Sequence, residues 1–339
     1  MIDPARLRLV PGRALVEPGL EVRFALPPGD RALVEAGEEV EAGNPLLEHV
    51  RDPRIEEVTA AAGTDRAVPV SGARWAGSAA GRRGGVERIE GELLGPVPGS
   101  RDRWRLVTGA HRNIIASPLA GTVAALAPGG GLRIRARGLA LRGALAAGSA
   151  ARGRLELATD PFGELRPGGI DVGRAGSILV VGSRIDAEAL TRARAMGVRG
   201  IIVASIPGKD MRDFLASERR QRAALHPTVP FAVLILDGPI RRPIASPVIA
   251  LLEALAGRDV AIVVDPPALV FDAPDLALPT VPPDWVRVRH GPNAGAEGRI
   301  LGLAGPRRFA AGVHLEAARV AIDGEPAIDI PLANLERIG

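Results

Sequence analysis

The sequence predicts a multidomain α+β protein: a β-rich first region, a three-layer α/β domain with a mostly parallel sheet, and a short glycine-punctuated β module at the end. Three observations carry this. Up to about residue 165, short Val, Leu and Arg runs are broken by Gly and Pro, the pattern of strands and turns. Over 170–265, four β-type runs alternate with helical stretches, which implies a mostly parallel sheet covered by helices. From 284 onward, Val286 and Val288 alternate with Arg287 and Arg289, the period of a half-buried strand, and Gly291, Gly295 and Gly298 follow.

In the first region, Val34, Gly37, Val40, Gly43 and Leu46 recur every third residue, with a tight turn expected at each glycine and buried apolar residues between them. This spacing resembles half of a biotinyl/lipoyl-like domain, and Ser117-Pro118-Leu119-Ala120-Gly121-Thr122-Val123 resembles the opening strand of the other half. The resemblance implies a β barrel-sandwich hybrid over 1–165 with an insertion at about 51–110. Similar paired halves occur in redox-subunit proteins and in RNA polymerase accessory domains. Biotin and lipoate attach to a lysine at a hairpin tip, and the only lysine of the chain is Lys209. A covalent biotin or lipoate is therefore excluded chemically, and a structural or recognition role is left. The stretch 71–85, rich in Gly, Ala, Ser and Arg, reads as a flexible loop or an extended β excursion.

In the second region, strands are expected at 177–182, 200–205, 231–236 and 260–264. The helix expected at 186–196 carries Ala189, Leu190, Ala193 and Met196 at helical spacing. Helices are also expected from 210 to about 224 and over 247–256, the last capped by Ser246 and ended by Gly257. In an open parallel sheet, ligands bind beyond the carboxyl ends of the strands. Ser183, Lys209, Asp237 and Asp265 stand there, and they form a ligand site only if the strand order brings them together; otherwise they are caps and loop charges. Gly208-Lys209 precedes a helix whose amides suit an anion, but the spacing is not that of a P-loop. No GxGxxG turn or serine nucleophile elbow occurs, and His49, His111, His226, His290 and His314 show no metal-ligand spacing.

A Pro-rich linker over 266–283 leads to the last module, 284–339. Its strand, Gly-rich turn and second strand over 283–300 resemble the KOW motif of the transcription elongation factor NusG and of ribosomal proteins that bind structural RNA. Residues 320–324 resemble the later hairpin strand of that small barrel, and 328–338 its closing strand and tail. The resemblance implies an SH3-like β-barrel that binds RNA or protein. Two features depart from it: Pro283 or Asp284 stands where many members have glycine, and 301–318 is longer and more apolar than a minimal hairpin needs.

Composition bounds the function. The absence of cysteine excludes disulfides, thiolate zinc sites, iron–sulfur ligation and cysteine nucleophiles. No apolar run reaches membrane-helix length and the start carries no signal pattern, so the expected location is cytoplasmic, with no cofactor. Arginine is abundant as GC-rich coding would make it, so position must carry any argument about partners. Between Arg101 and Arg154 there are ten arginines against Asp102 alone. Arg133, Arg135 and Arg137 alternate with apolar residues, and Trp104 lies between two arginines. A strand would put the three guanidinium groups on one face, where forked donors suit phosphate, and Trp104 suits base stacking. Trp104, Arg112, Arg133, Arg135, Arg137 and Arg142 are the candidate nucleic-acid or partner residues here. Against this, 14–60 holds eleven acids and four arginines, so the two stretches can instead neutralise each other. The last module balances seven arginines with seven acids, which favours a protein partner or an RNA contact confined to Arg287, Arg289 and Arg299.

The expectation is a non-catalytic binding protein for RNA or a nucleoprotein machine in transcription or translation. One alternative is an accessory or scaffold subunit of an enzyme complex, since the sandwich and α/β pairing resembles the N-terminal half of membrane redox subunits, though without their flavin, cluster or nicotinamide motifs. The other is an enzyme at the carboxyl edge of the α/β sheet.

Overall fold

A computed structural model describes residues 12–27, 29–51, 54–59, 71, 73–80, 86–100, 102–108, 111–127, 131–224, 230–322, 324 and 326–338. The chain forms two compact units, a larger one of Met1–Leu20 with Arg137–Gly339 and a smaller one of Glu21–Ala136.

The larger unit begins with two short strands, β1 (Gly12–Arg13) and β2 (Glu17–Pro18). Among its described residues the smaller unit is all β: β3 (Glu21–Phe24), β4 (Arg31–Ala32), β5 (Glu39–Val40), β6 (Pro45–Arg51), β7 (Arg54–Thr59), β8 (Arg74–Ala80), β9 (Val86–Pro96), β10 (Arg103–Thr108), β11 (His111–Ala116), β12 (Gly121–Ala127) and β13 (Gly131–Ala136). These make three sheets, ordered β3-β13-β12-β5, β11-β6-β4 and β7-β10-β9-β8. The two segments with glycine-turn spacing meet through backbone hydrogen bonds. Gly37 N donates to Val123 O at 2.8 Å and Gly43 N to Ser117 O at 2.8 Å. Both glycines have φ near +90°, which side chains with a Cβ resist. The insertion grows out of the β6/β11 pair: Arg51 opposes His111, and Arg54 opposes Thr108 on the continuing β7/β10 pair. It closes over a small core of Val58, Trp75, Leu93 and Leu106. Of the two readings of 71–85, residues 74–80 take the β excursion, while 72 and 81–85 lie outside the described residues.

The larger unit continues with β14 (Leu139–Arg142), β15 (Leu145–Gly148), β16 (Ala151–Leu157), β17 (Glu164–Leu165), β18 (Ser177–Ile185), α1 (Ala187–Ala195), β19 (Gly200–Ser205), α2 (Gly208–Ala224), β20 (Ala232–Gly238), α3 (Ser246–Ala254), β21 (Asp259–Val263) and β22 (Ala268–Phe271). They build a ten-stranded sheet ordered β15-β20-β19-β18-β16-β21-β22-β14-β2, with β17 beside β18. The expected mostly parallel sheet is corrected to a mixed one. Parallel pairing holds for β16, β18, β19 and β20, but β21 runs antiparallel to β16, and β22, β14, β2 and β15 also pair antiparallel. An apolar run after a helix has the same period whichever way it points, so the pattern could not fix its direction. Ala268–Phe271, inside the stretch expected as linker, is a fully buried strand of this sheet.

Helices cover both faces, giving three layers. Ala189, Leu190 and Ala193 of α1 and Met211 and Phe214 of α2 pack with Leu179, Val181, Ile201 and Val203. On the other face Val248, Leu251 and Leu252 of α3 pack with Ile178, Val180, Ile202 and Leu234. Asp186 caps α1 by accepting from Ala189 N at 2.7 Å. Ser246 does not cap α3 as expected. It is the first helical residue, and its amide is taken by Glu297 Oε1 at 2.8 Å from the C-terminal sheet.

That sheet contains β23 (Trp285–Val288), β24 (Glu297–Arg308), β25 (His314–Ile322), β26 (Ile328–Pro331) and, after a 3-10 turn at Leu332–Asn334, β27 (Leu335–Ile338). Its order is β1-β27-β23-β24-β25-β26, around a core of Val286, Val288, Ile300, Ala318, Val320, Ile330 and Leu335. Two bulges let the longer β24 follow β25. The distal half of this hairpin leaves Leu301, Leu303, Val313 and Leu315 exposed. Asp329 on β26 accepts from Arg307 Nε at 2.9 Å and Arg319 Nε at 3.0 Å, and these two guanidinium groups hold its carboxyl below the usual carboxylate range.

Candidate nucleic-acid interface

The expected basic strand is β13, whose burial alternates as predicted: Leu132, Ile134 and Ala136 face the core, and Arg133 and Arg135 face out. Its register with β3 and β12 decides what surrounds them. Arg133 lies directly opposite Arg23, and Arg135 directly opposite Glu21. On the other side Thr122 opposes Arg135 and also Glu39 of β5. Directly opposed residues share a sheet face, so exposed Arg23, Arg133, Arg135, Glu21 and Glu39 and half-buried Thr122 form one array. A shallow cavity of about 280 Å³ opens on it, lined by Glu21, Thr122, Ala124, Arg133 and Arg135. Glu21 reaches both arginines loosely, at 3.3 Å to Arg135 Nη2 and 3.7 Å to Arg133 Nη1. Glu39 is held by Thr122, whose Oγ1 donates to it at 2.6 Å. The array can take a phosphate or carboxylate between two forked donors.

The other basic candidates are engaged differently. Arg137 Nε pairs with Asp272 Oδ2 at 2.9 Å, and Arg142 with Glu17. Trp104, half-buried, packs on the core of the insertion rather than standing open for a base. The side chain of Arg112 and all of His226 lie outside the described residues. The alternative of internal neutralisation is thus realised in part, since Glu17, Glu21 and Glu57 of the acidic stretch pair with Arg142, with Arg133 and Arg135, and with Arg103.

Arg287 requires a correction. Strand alternation predicts an outward guanidinium, yet Arg287 is 0% exposed. Val286 and Val288 face the core of the C-terminal sheet, while Trp285 packs into the α/β core, so β23 is covered on both faces. Arg287 Nη1 donates to Asp237 Oδ2 at 2.9 Å and to Glu336 Oε1 at 3.2 Å, and Nη2 donates to Pro243 O. Arg242 completes the cluster. Its Nη1 lies 3.6 Å from Glu336 Oε1, and its Nη2 donates to Asp237 O at 3.1 Å. These four groups join the carboxyl end of β20 to the C-terminal sheet. Arg289 is half-buried, with its carbonyl accepting from Arg242 Nη1 at 3.4 Å. Arg299 is exposed, 3.7 Å from Asp284.

The ligand edge expected from Ser183, Lys209, Asp237 and Asp265 does not assemble. Ser183 is buried and its hydroxyl donates to Phe162 O at 2.8 Å and Gly163 O at 3.1 Å. Lys209 is exposed at the start of α2, and Asp237 is enclosed by Arg287 and Arg242. Asp265 follows β21, which runs against β16, β18 and β20, so it lies at the opposite edge of the sheet. Among the described residues no His, Asp and Glu group stands close enough to hold a metal, and no helix is long and apolar enough to cross a membrane.

Sequence reasoning missed Arg23, hidden by its place in an acidic stretch, although the alternation Glu21-Val22-Arg23-Phe24 marks it as strand-borne. It also missed Arg242, Glu297 and Glu336, which carry no local motif. Neither the known protein-family models nor the curated proteins contain a match to this chain.

Proposed function

We propose that the protein is a non-catalytic binding protein whose β3/β13 face contacts the phosphate backbone of RNA within a nucleoprotein machine. The observation that carries this reading is the direct opposition of Arg23 and Arg133 on an exposed face that also bears Arg135. Guanidinium groups held on one face of rigid strands present forked donors to successive phosphates of a chain laid over them. In the same reading the smaller unit is a barrel-sandwich hybrid and the C-terminal sheet a KOW-like SH3-type barrel. The order β27-β23-β24-β25-β26, with a 3-10 turn before the closing strand, supports the latter. An enzyme at the carboxyl edge of the α/β sheet loses its support with Asp265 at the far edge and Asp237 enclosed.

A second reading, a scaffold that binds protein, is favoured by one observation: Leu301, Leu303, Val313 and Leu315 are exposed on the distal hairpin. Binding to an RNA pool over a salt series separates the two. The RNA reading predicts a linear loss of log affinity with log salt, by about 0.7 per phosphate contact on single strands. Arg133→Ala with Arg135→Ala weakens binding and lowers the slope by about 1.4. Failure of the parent protein to bind at low salt refutes the RNA reading and leaves the scaffold.

A further inference from the structure

We infer that Glu21 is a built-in occupant of the anion site on the β13 face, standing where a phosphate of the RNA sits and competing with it. This rests on the RNA reading and adds how the site is regulated. The carboxylate of Glu21 stands against the guanidinium groups of both Arg133 and Arg135, at 3.7 Å and 3.3 Å. Both distances exceed those of close charge-assisted hydrogen bonds, about 2.7–2.9 Å. All three side chains are exposed, from 43% to 64%. Such loose surface pairs contribute little and are screened by salt.

The site is nonetheless built for an anion. Register places Arg133 and Arg135 on one face of rigid strands with Arg23 opposite Arg133, and the cavity is lined by both β13 arginines together with Glu21, Thr122 and Ala124. The other acid of the array, Glu39, is drawn to Thr122 at 2.6 Å, and no contact ties it to the arginines of β13. Glu21 alone of the two therefore blocks the forked donors. A single backbone phosphate matches a carboxylate in charge, but an RNA chain brings a row of linked phosphates and releases counterions on binding, so it displaces the loosely held Glu21, which returns to water.

Binding of a short oligouridylate to the full chain tests this, with Glu21→Gln set against Glu188→Gln, which removes the same charge from an exposed position on α1. Glu21→Gln keeps the shape and removes the competing charge. The inference predicts roughly fivefold tighter binding, the factor carried by about 1 kcal/mol, and a steeper salt slope, with Glu188→Gln unchanged. A gain in Glu21→Gln that disappears when Arg133→Ala and Arg135→Ala are added supports the competition directly. If the parent binds and Glu21→Gln binds equally or more weakly, the inference is overturned and the RNA reading stands. Equal tightening by both Gln variants is a net-charge effect and also overturns it. Absence of binding in parent and variant alike at low salt overturns both.

Discussion

Arg287 separates what period-two patterning can and cannot tell. Its flanking valines face the core of the C-terminal sheet, and that predicted an outward arginine; a second layer covers the outward face. A buried guanidinium is tolerable only when paired, and Asp237, Glu336 and Pro243 O supply the partners. Removing one partner of a buried ion cluster costs more than the cluster contributes, because the remaining charges stay desolvated. Arg287→Met should therefore lose about 3–5 kcal/mol in urea unfolding followed by tryptophan fluorescence. Adding Asp237→Asn and Glu336→Gln should restore part of it. A single variant as stable as the parent would contradict the account of this cluster. Arg133 and Arg135 show the opposite case, where alternation correctly gave both the strand and its outward face.

At the level of elements, the Gly-rich turn between β23 and β24 is a docking point. Gly295 has φ +87°, and a Cβ there would lie 2.8 Å from Arg242 Cβ and from Pro243 Cδ. Gly291 has φ +91° with nothing within 4 Å. Gly291→Ala should carry only the cost of a left-handed conformation, about 1–2 kcal/mol. Gly295→Ala should add overpacking of about 1–3 kcal/mol. Equal losses for the two variants in urea unfolding would mean that this contact does not hold the turn. The helix α1 was legible from its apolar period, and the parallel strands β18, β19 and β20 from their apolar runs. The direction of β21 and the burial of Ala268–Phe271 were not, because both depend on which strand the chain returns to, a tertiary choice. The sequence pattern points to Ser246 as the cap of α3, whereas Glu297 supplies it from a distant element while also accepting from Trp285 Nε1 at 3.2 Å.

Across the whole molecule, the site was half legible. The excess of arginine over 101–154 pointed to β13 as an outward basic strand, but charge counting hid its neighbours: Arg23 inside an acidic stretch, and Glu21 between the two arginines. The same counting credited Arg287 to a surface it does not reach. In the larger unit, buried ion pairs and packed apolar faces fix the C-terminal sheet to the α/β layers. In the smaller unit, Arg133 and Arg135 stand on an exposed face and are only loosely engaged by Glu21. Photocross-linking the full chain to an RNA pool and mapping the linked peptides tests this division most directly. The account predicts cross-links in 21–24 and 121–136 and none at Arg287. Cross-links confined to 301–316, or none anywhere, would contradict it.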